Sequence, residues 1–386
     1  MDVFGDGWVP DAWSVAPGRL ELLGNHVDYN GGLVLAGAID RSIRIAISDG
    51  GPTGLIQVVA VDLGGELFEV RTDAGPIDVD TSAGIGPEQY LRGVIGAMLS
   101  RRLGIRSALR LSIAGDVPIG FGMSSSAALC VALVNALSPR RLPDRDIVLT
   151  AQEAELRAGS PVGAMDQSAS VAGGVILFDG ASDSFERLEP GLGKFVFAVA
   201  NSGVSHAIGS SSYPRRVEES REALALIRTH ADPHLAALGA LTVERWLTLR
   251  ENGIPGLNAT LSDRVDHVVM EVDRVRHGVA AIGNGDWPAF GRLMTASGRS
   301  SAGLYDISHP LVEELVANLL DLPGVAGARM MGGGEGGPAL ALIQSAAVDE
   351  VRSALGQGYY SRHRSDSTAD PLRVCVFGPG ARVIPA

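Results

Sequence analysis

The sequence predicts a two-domain α+β protein, and three observations carry that reading. A length of 386 residues exceeds one ordinary domain. Strand-like alternation and helical spacing of apolar residues both occur in each half of the chain. Residues 179–193 mix Gly, Asp, Ser and Pro between two apolar runs, which sets the expected boundary and divides the chain into 1–190 and 191–386. Composition narrows the class. A net charge of -12 argues against a nucleic-acid partner, because neutralising a phosphate backbone needs a basic surface. No apolar run approaches the length that spans a bilayer, and the acidic start Met1-Asp2-Val3-Phe4-Gly5-Asp6 is unlike a targeting leader. The expectation is a soluble cytoplasmic protein, without membrane association, acting on a small molecule. Cys130 and Cys375 are the only cysteines, too few for a disulfide framework, and read as core residues.

In chain order, residues 16–40 hold the first polar cluster. Pro17-Gly18 and Asn30-Gly31-Gly32 are turn signals, and between them lie Arg19, Asn25, His26, Asp28 and Tyr29. Leu33, Val34 and Leu35, then Ile43, Ile45 and Ile47, predict strands of one sheet that fix this cluster beside a rigid wall. Taken singly, each polar residue has a plain structural role as turn former, packed histidine or surface ion pair. Tyr90, Leu91, Val94, Ile95 and Met98 predict a scaffold helix over 89–103.

Leu109, Leu111 and Ile113 then alternate as a strand, while Cys130, Leu133, Val134 and Leu137 fall at helical spacing. Between them lies the loop Pro118-Ile119-Gly120-Phe121-Gly122-Met123-Ser124-Ser125-Ser126. Serines at a helix start offer side-chain caps, and free N–H groups there form an anion site for which phosphate is the natural guest. Alone, such a loop is equally explained as a turn. A helix over 146–158 carries Glu155 and leads into Gly163-Ala164-Met165-Asp166-Gln167, where Asp166 reads either as a catalytic carboxylate or as a cap.

Residues 172–178 are strand-like. The second half opens with a strand over 195–200, the polar run Asn201-Ser202-Gly203-Val204-Ser205-His206, and Tyr213-Pro214-Arg215-Arg216 before a helix over 217–229. Further helices are predicted around Val265–Val275 and over 311–320. Gly332, Gly333, Gly334, Gly336 and Gly337 surround Glu335; so many glycines lose much entropy on ordering, which points to close backbone approach to another group. A strand over 339–343, a helix from about 346 and a last strand over 373–377 complete the chain. Lys194 is the only lysine and stands outside any Walker or protein-kinase context, so both phosphate-binding lysine motifs are excluded.

Together these stretches resemble the GHMP small-molecule kinases, and within them the galactokinase family, over nearly the whole chain. Residues Pro17–Arg19 through His26–Gly32 resemble the family's amino-terminal signature, and 118–128 its ATP-binding loop. Gly163–Gln167 resembles the segment of the catalytic aspartate, and Gly332–Gly337 the third glycine motif. The resemblance implies an amino-terminal domain like ribosomal protein S5 domain 2, a ferredoxin-like carboxyl-terminal domain, and a site between them. It implies that Asp166 takes or stabilises the proton of a sugar's anomeric hydroxyl and that Arg19 holds that carboxylate and the transferring phosphoryl group. Pro118, Gly120, Phe121, Gly122, Met123, Ser124, Ser125 and Ser126 would cradle ATP, with Ser126 and Glu155 on Mg2+. Asn25, His26, Asp28, Tyr213, Gly333 and Gly334 would bind the sugar.

This division of labour suits phosphoryl transfer, which needs positioning and charge stabilisation more than covalent chemistry. The implied activity is that of an ATP-dependent sugar 1-kinase acting on galactose, as a monomer or weak homo-oligomer. Several positions depart from the family pattern. Asn25 stands where a glutamate is usual, and an amide both donates and accepts, so galacturonate is the alternative substrate. Glu335 replaces an aromatic and puts negative charge near phosphates, Pro338 replaces a cysteine, Gly298 a histidine and Cys130 a glutamate. A catalytically silent sugar- and ATP-binding regulator is the reading these changes leave open.

Overall fold

The computed structural model describes residues 4, 5, 7–73, 77, 79–82, 84–118, 121–160, 162–204, 212–363 and 371–386. The chain first forms β1 (Ala12–Leu23), β2 (Leu33–Asp49), β3 (Leu55–Ala60), β4 (Leu67–Arg71), α1 (Pro87–Ser100), β5 (Leu109–Gly115), α2 (Ser125–Leu137) and α3 (Asp144–Arg157). It continues through α4 (Met165–Ala172), β6 (Val175–Asp179), β7 (Ser184–Leu188), β8 (Phe195–Asn201), α5 (Tyr213–His230), α6 (Val243–Asn252) and α7 (Ala259–Gly283). The last elements are α8 (Trp287–Gly303), α9 (Pro310–Leu320), β9 (Val325–Met330), β10 (Pro338–Gln344), α10 (Val348–Gln357), α11 (Tyr359–Arg362), β11 (Arg373–Cys375) and β12 (Arg382–Pro385).

Strand β2, 17 residues long, is the spine of an eight-stranded sheet. Its first part, Leu33–Gly37, pairs with β6, and its last part, Ile43–Asp49, pairs with β5, while β1 runs along the other edge. The main path is β12-β1-β2-β5-β3-β4, antiparallel except for β3 on β5. Helix α2 is buried on nearly every side, Cys130 included, because it lies between this sheet and α3. An all-round apolar sequence is what such a position requires. A second, four-stranded sheet runs β11-β8-β10-β9 with α8 and α9 against β9. Mixed helices and sheets in two units are thus the α+β architecture read from the sequence.

The structure corrects that reading in detail. Residues 184–188, inside the stretch read as a connection, form β7 in a hairpin with β6. Phe185 packs on the core while Ser184 and Glu186 face solvent, so the alternation is real but short. The strand expected over 373–377 stops at Cys375, and the unforeseen β12 returns to the first sheet, pairing Ala12 with Pro385. Helix α8 also went unread, because its glycines mask the helical signal. They are needed: a Cβ on Gly291 would lie 2.3 Å from the Ala326 carbonyl oxygen, and one on Gly298 would lie 2.8 Å from Arg329 Cβ. Finally, no serine side chain caps α2; Ser124 takes a left-handed conformation with φ 55° and turns elsewhere.

Candidate active site

Strand β1 supplies the first side chains. Its pairing with β2 is irregular between Pro17 and Arg19 and again between Glu21 and Leu23, which leaves residues 19–21 as a short regular stretch. Alternate residues of a strand share a face, and flanking bulges re-aim that face, so Arg19 and Glu21 point the same way. Arg19 Nε and Nη2 donate to the two oxygens of Asp166 at 2.7 and 2.8 Å, a bidentate pair. Nη1 donates to the Gly122 carbonyl, and the Arg19 backbone N–H to that of Met123 at 3.0 Å. The Ser124 hydroxyl, freed from capping, donates to Asp166 Oδ2. One carboxylate in the first turn of α4 is thereby fixed to both β1 and the glycine loop.

The turn after β1 is held from the far end of the chain. Glu271 of α7 accepts the N–H groups of Gly24 and Asn25 at 3.0 and 3.2 Å and the Ser297 hydroxyl at 2.6 Å, and Arg274 Nε donates to its other oxygen at 2.6 Å. Burial opposes its charge, but Arg274, His267, Arg329 and Ser297 together outweigh burial and hold the carboxyl near 2. His267 Nε2 donates to the Asn25 carbonyl at 3.0 Å. Residue His26 follows with φ 61°, a strained conformation that its neighbours must enforce. Because the Gly333 carbonyl 3.3 Å away only accepts, His26 Nε2 carries the proton and Nδ1 accepts from the Tyr29 hydroxyl at 2.8 Å. Burial pushes the imidazole down to about 3, so it is neutral.

Asp28 points at Gly163, where a Cβ would lie 1.8 Å from Oδ2, so only glycine admits this carboxylate. Burial, aided by the charges of Asp166 and Glu21, pushes Asp28 up to about 7 against the backbone N–H of Tyr29. The Tyr213 ring packs 4.8 Å from His26 and 5.4 Å from Tyr29. Asn25, in contrast, does not reach this recess. It is fully buried, with Nδ2 donating to Glu21 Oε1 at 2.9 Å and to the Gly332 carbonyl at 3.0 Å, and Oδ1 accepting from Ser301 at 2.9 Å. Glu21 lines the recess instead, with Arg329 of β9 donating to the same Oε1. Sequence reasoning passed over Glu21, although its place between Leu20 and Leu22 marks a strand residue facing away from the core.

Three recesses run together. The recess lined by Glu21, His26, Asp28 and Tyr213 shares Arg19, Val162, Asp166, Gly332 and Gly333 with a cavity of about 210 Å³ under the glycine loop. That cavity shares Tyr90, Pro118, Ser125 and Ser126 with a larger apolar one of about 520 Å³. Gly122, Met123, Ser124 and Gly334 line the middle cavity. Phe121 lines none of the three; its ring sits 5.3 Å from the Arg373 guanidinium, which borders the apolar cavity and was not anticipated. Gly120, Ser205 and His206 lie outside the described residues. Glu335 is absent from all three walls, its N–H donating to the Ile307 carbonyl at 2.6 Å with φ 57°.

Glu155 is buried at the edge of the middle cavity, and burial pushes its carboxyl up to about 7 although Ser126 and Gln167 donate to it. Beside it, Gln167 Oε1 has no hydrogen-bond donor among the described residues. A desolvated carboxylate, a hydroxyl and an unfilled carbonyl fit a hydrated divalent cation. Mg2+ keeps several waters and takes phosphate oxygens, so one carboxylate and one hydroxyl from the protein suffice for it.

The galactokinase galactose-binding signature matches residues 2–49, the GHMP kinase amino-terminal domain 89–174 and the GHMP kinase carboxyl-terminal domain 279–361. A galactokinase of Chloroflexus aggregans is 34% identical, with 98% of this chain and 95% of that protein covered. The chain belongs to the galactokinase family. It is accordingly an ATP-dependent sugar kinase. The galactokinase of Bos taurus is 31% identical over 92% of this chain and 89% of its own. Among solved structures, Lactococcus lactis galactokinase complexed with galactose superposes with a TM-score of 0.85 at 26% identity, covering 96% of this chain and 94% of that one. A Methanococcus jannaschii mevalonate kinase, 17% identical with a TM-score of 0.67 and covering 97% and 99%, shares the fold. No helix among the described residues is long and apolar enough to cross a membrane.

Proposed function

We propose that this galactokinase-family protein transfers the γ-phosphoryl group of ATP to the anomeric hydroxyl of galactose, giving galactose 1-phosphate and ADP. The observation that carries the proposal is the Arg19–Asp166 clamp, which borders both the middle cavity and the sugar-side recess. A phosphoryl donor in one and a hydroxyl acceptor in the other meet there. Asp166 orients the acceptor hydroxyl and takes its proton as the new O–P bond forms; Arg19 stabilises charge on the phosphoryl oxygens. N–H groups of residues 122–126 hold the ATP phosphates, and Ser126 and Glu155 would hold Mg2+, which would supply positive charge against the phosphates. His26, Asp28, Tyr213 and the Gly333 backbone bind the sugar. On this reading residues 1–190 form the ATP- and sugar-binding domain and 191–386 add Tyr213 and the third glycine segment, in a cytoplasmic enzyme that is a monomer or weak homo-oligomer.

Galactose is favoured over galacturonate because Glu21 and Asp28 already place carboxylates in the recess beside the Arg19-paired Asp166, and the amide of Asn25 lies elsewhere. An acidic sugar would add a further negative charge. The silent-regulator reading loses its main support with Glu335 off the cavity walls. The test is ADP release from ATP and Mg2+ across a panel of free sugars. Galactose should be the best substrate and galacturonate poor; ADP release with galacturonate and none with galactose would refute the assignment, and none with any sugar would refute turnover.

A further inference from the structure

Glu21 has an unspent acceptor. Its Oε1 takes hydrogen bonds from Asn25 Nδ2 and Arg329 Nη2, which fixes the carboxylate on the wall between β1 and β9. No donor among the described residues reaches Oε2, and the residue borders the sugar-side recess with Asp28, Asp166 and Tyr213. A carboxylate oxygen beside a cavity without a donor is an acceptor site, and a hydroxyl ligand satisfies it without competing with a positive charge. Arg329 is fully buried and bonds only Oε1, so it screens the carboxylate's charge without occupying Oε2, on a residue that lines the recess. Asn25 contributes only by holding Oε1, since all its own hydrogen-bonding atoms are engaged.

Position along the strand says which part of a sugar is met. Arg19 and Glu21 lie on one face of β1, and residues two apart on a strand are separated by roughly 6.5–7 Å. With the anomeric oxygen against Asp166, and hence against Arg19, a carboxylate one strand repeat away reaches the opposite side of a hexopyranose ring. We infer that Glu21 Oε2 accepts the hydroxyl at carbon 4 or carbon 6 of the sugar and is the specificity-determining carboxylate of this recess, a role that the position of Asn25 does not supply. The inference rests on the sugar-kinase reading and names the residue that selects the substrate.

The test compares galactose with its 2-deoxy, 4-deoxy and 6-deoxy analogues in the wild type, in Glu21→Gln, and in Glu21→Gln/Arg329→Gln. The double variant removes the buried pair as a unit and guards against a single variant that fails to fold. In the folded variants, kcat/KM for galactose and for 2-deoxygalactose should fall about ten- to a hundredfold, mainly through KM, the loss of one charge-assisted hydrogen bond. With either the 4-deoxy or the 6-deoxy analogue the loss should disappear, and that analogue identifies the hydroxyl. An equal loss on all four sugars would mean that Glu21 acts only as structure, and would overturn the inference. The two readings fail separately: no galactose turnover in the wild type refutes the galactose assignment, whereas normal wild-type turnover with a uniform loss refutes Glu21 alone.

Discussion

The glycine loop over 118–126 and the turn over 24–30 hold their functional groups by different means. On the proposed function the backbone is the working part of the loop: N–H groups, Gly122, and a Ser124 held at φ 55°. On that reading the turn works through side chains, and it is pinned on its backbone by Glu271 and His267 of α7 and on its side chains by Ser301 of α8 and the Gly333 carbonyl, all more than 240 residues away along the chain. A backbone device depends on local sequence; a side-chain network depends on everything folded around it. Damage to α7 or α8 should therefore reach the sugar and spare the nucleotide.

The largest effect is expected where the two regions meet. Asp166→Ala should lower turnover by at least about 10³-fold, as loss of a positioned proton acceptor and charge stabiliser does, with ATP binding retained by calorimetry. Wild-type turnover in that variant would break the account of the clamp. Glu271→Gln tests the separation directly. Loss of charge from an acceptor of four donors should raise the sugar KM about tenfold and leave the ATP KM unchanged; a parallel rise in both would show that the regions are not independent. Ser124→Ala removes one of the hydrogen bonds to Asp166, and kcat should drop only about three- to tenfold in steady-state assays.

Smaller still are the consequences of pH. Burial pushes Asp28 and Glu155 both up to about 7 in the folded protein, and the roles proposed for them, accepting sugar hydroxyls and holding the metal, favour the ionised form. kcat/KM for the sugar should then decline as pH falls below about 7. The same burial works against stability with the opposite sense. A carboxyl raised in the folded state contributes most below its unfolded value of 3.8, and that contribution is lost as pH rises from there to about 7. Asp28→Asn should therefore raise Tm at pH 8 by about 2–4 °C, with no gain at pH 4, in thermal scans.

This contrast also explains what could be read from the sequence. The loop, Asp166, Glu155 and Arg19 could be singled out because the motifs that carry the family resemblance are contiguous stretches of a few residues, and the strand-loop-helix order sets the loop between β5 and α2. Asn25 was misjudged for the complementary reason. Its type and place in the turn were plain, but its direction depends on Ser301 and on the Gly332 carbonyl, partners in α8 and the third glycine segment that local periodicity cannot reveal. Glu21 was overlooked because an acidic residue alternating with leucines looks like an ordinary solvent-facing strand position until β9 brings Arg329 against it. Helix α8 is hidden in the sequence because its glycines weaken the helical signal, although they form the contact surface for β9.

The central claim is that the anomeric hydroxyl, and no other, lies against the Arg19–Asp166 clamp. Phosphorus–proton correlation NMR of the product made from galactose, ATP and Mg2+ tests it most directly. The account predicts coupling of phosphorus to the anomeric proton alone; coupling to the protons on carbon 6 or to any other ring proton would contradict it.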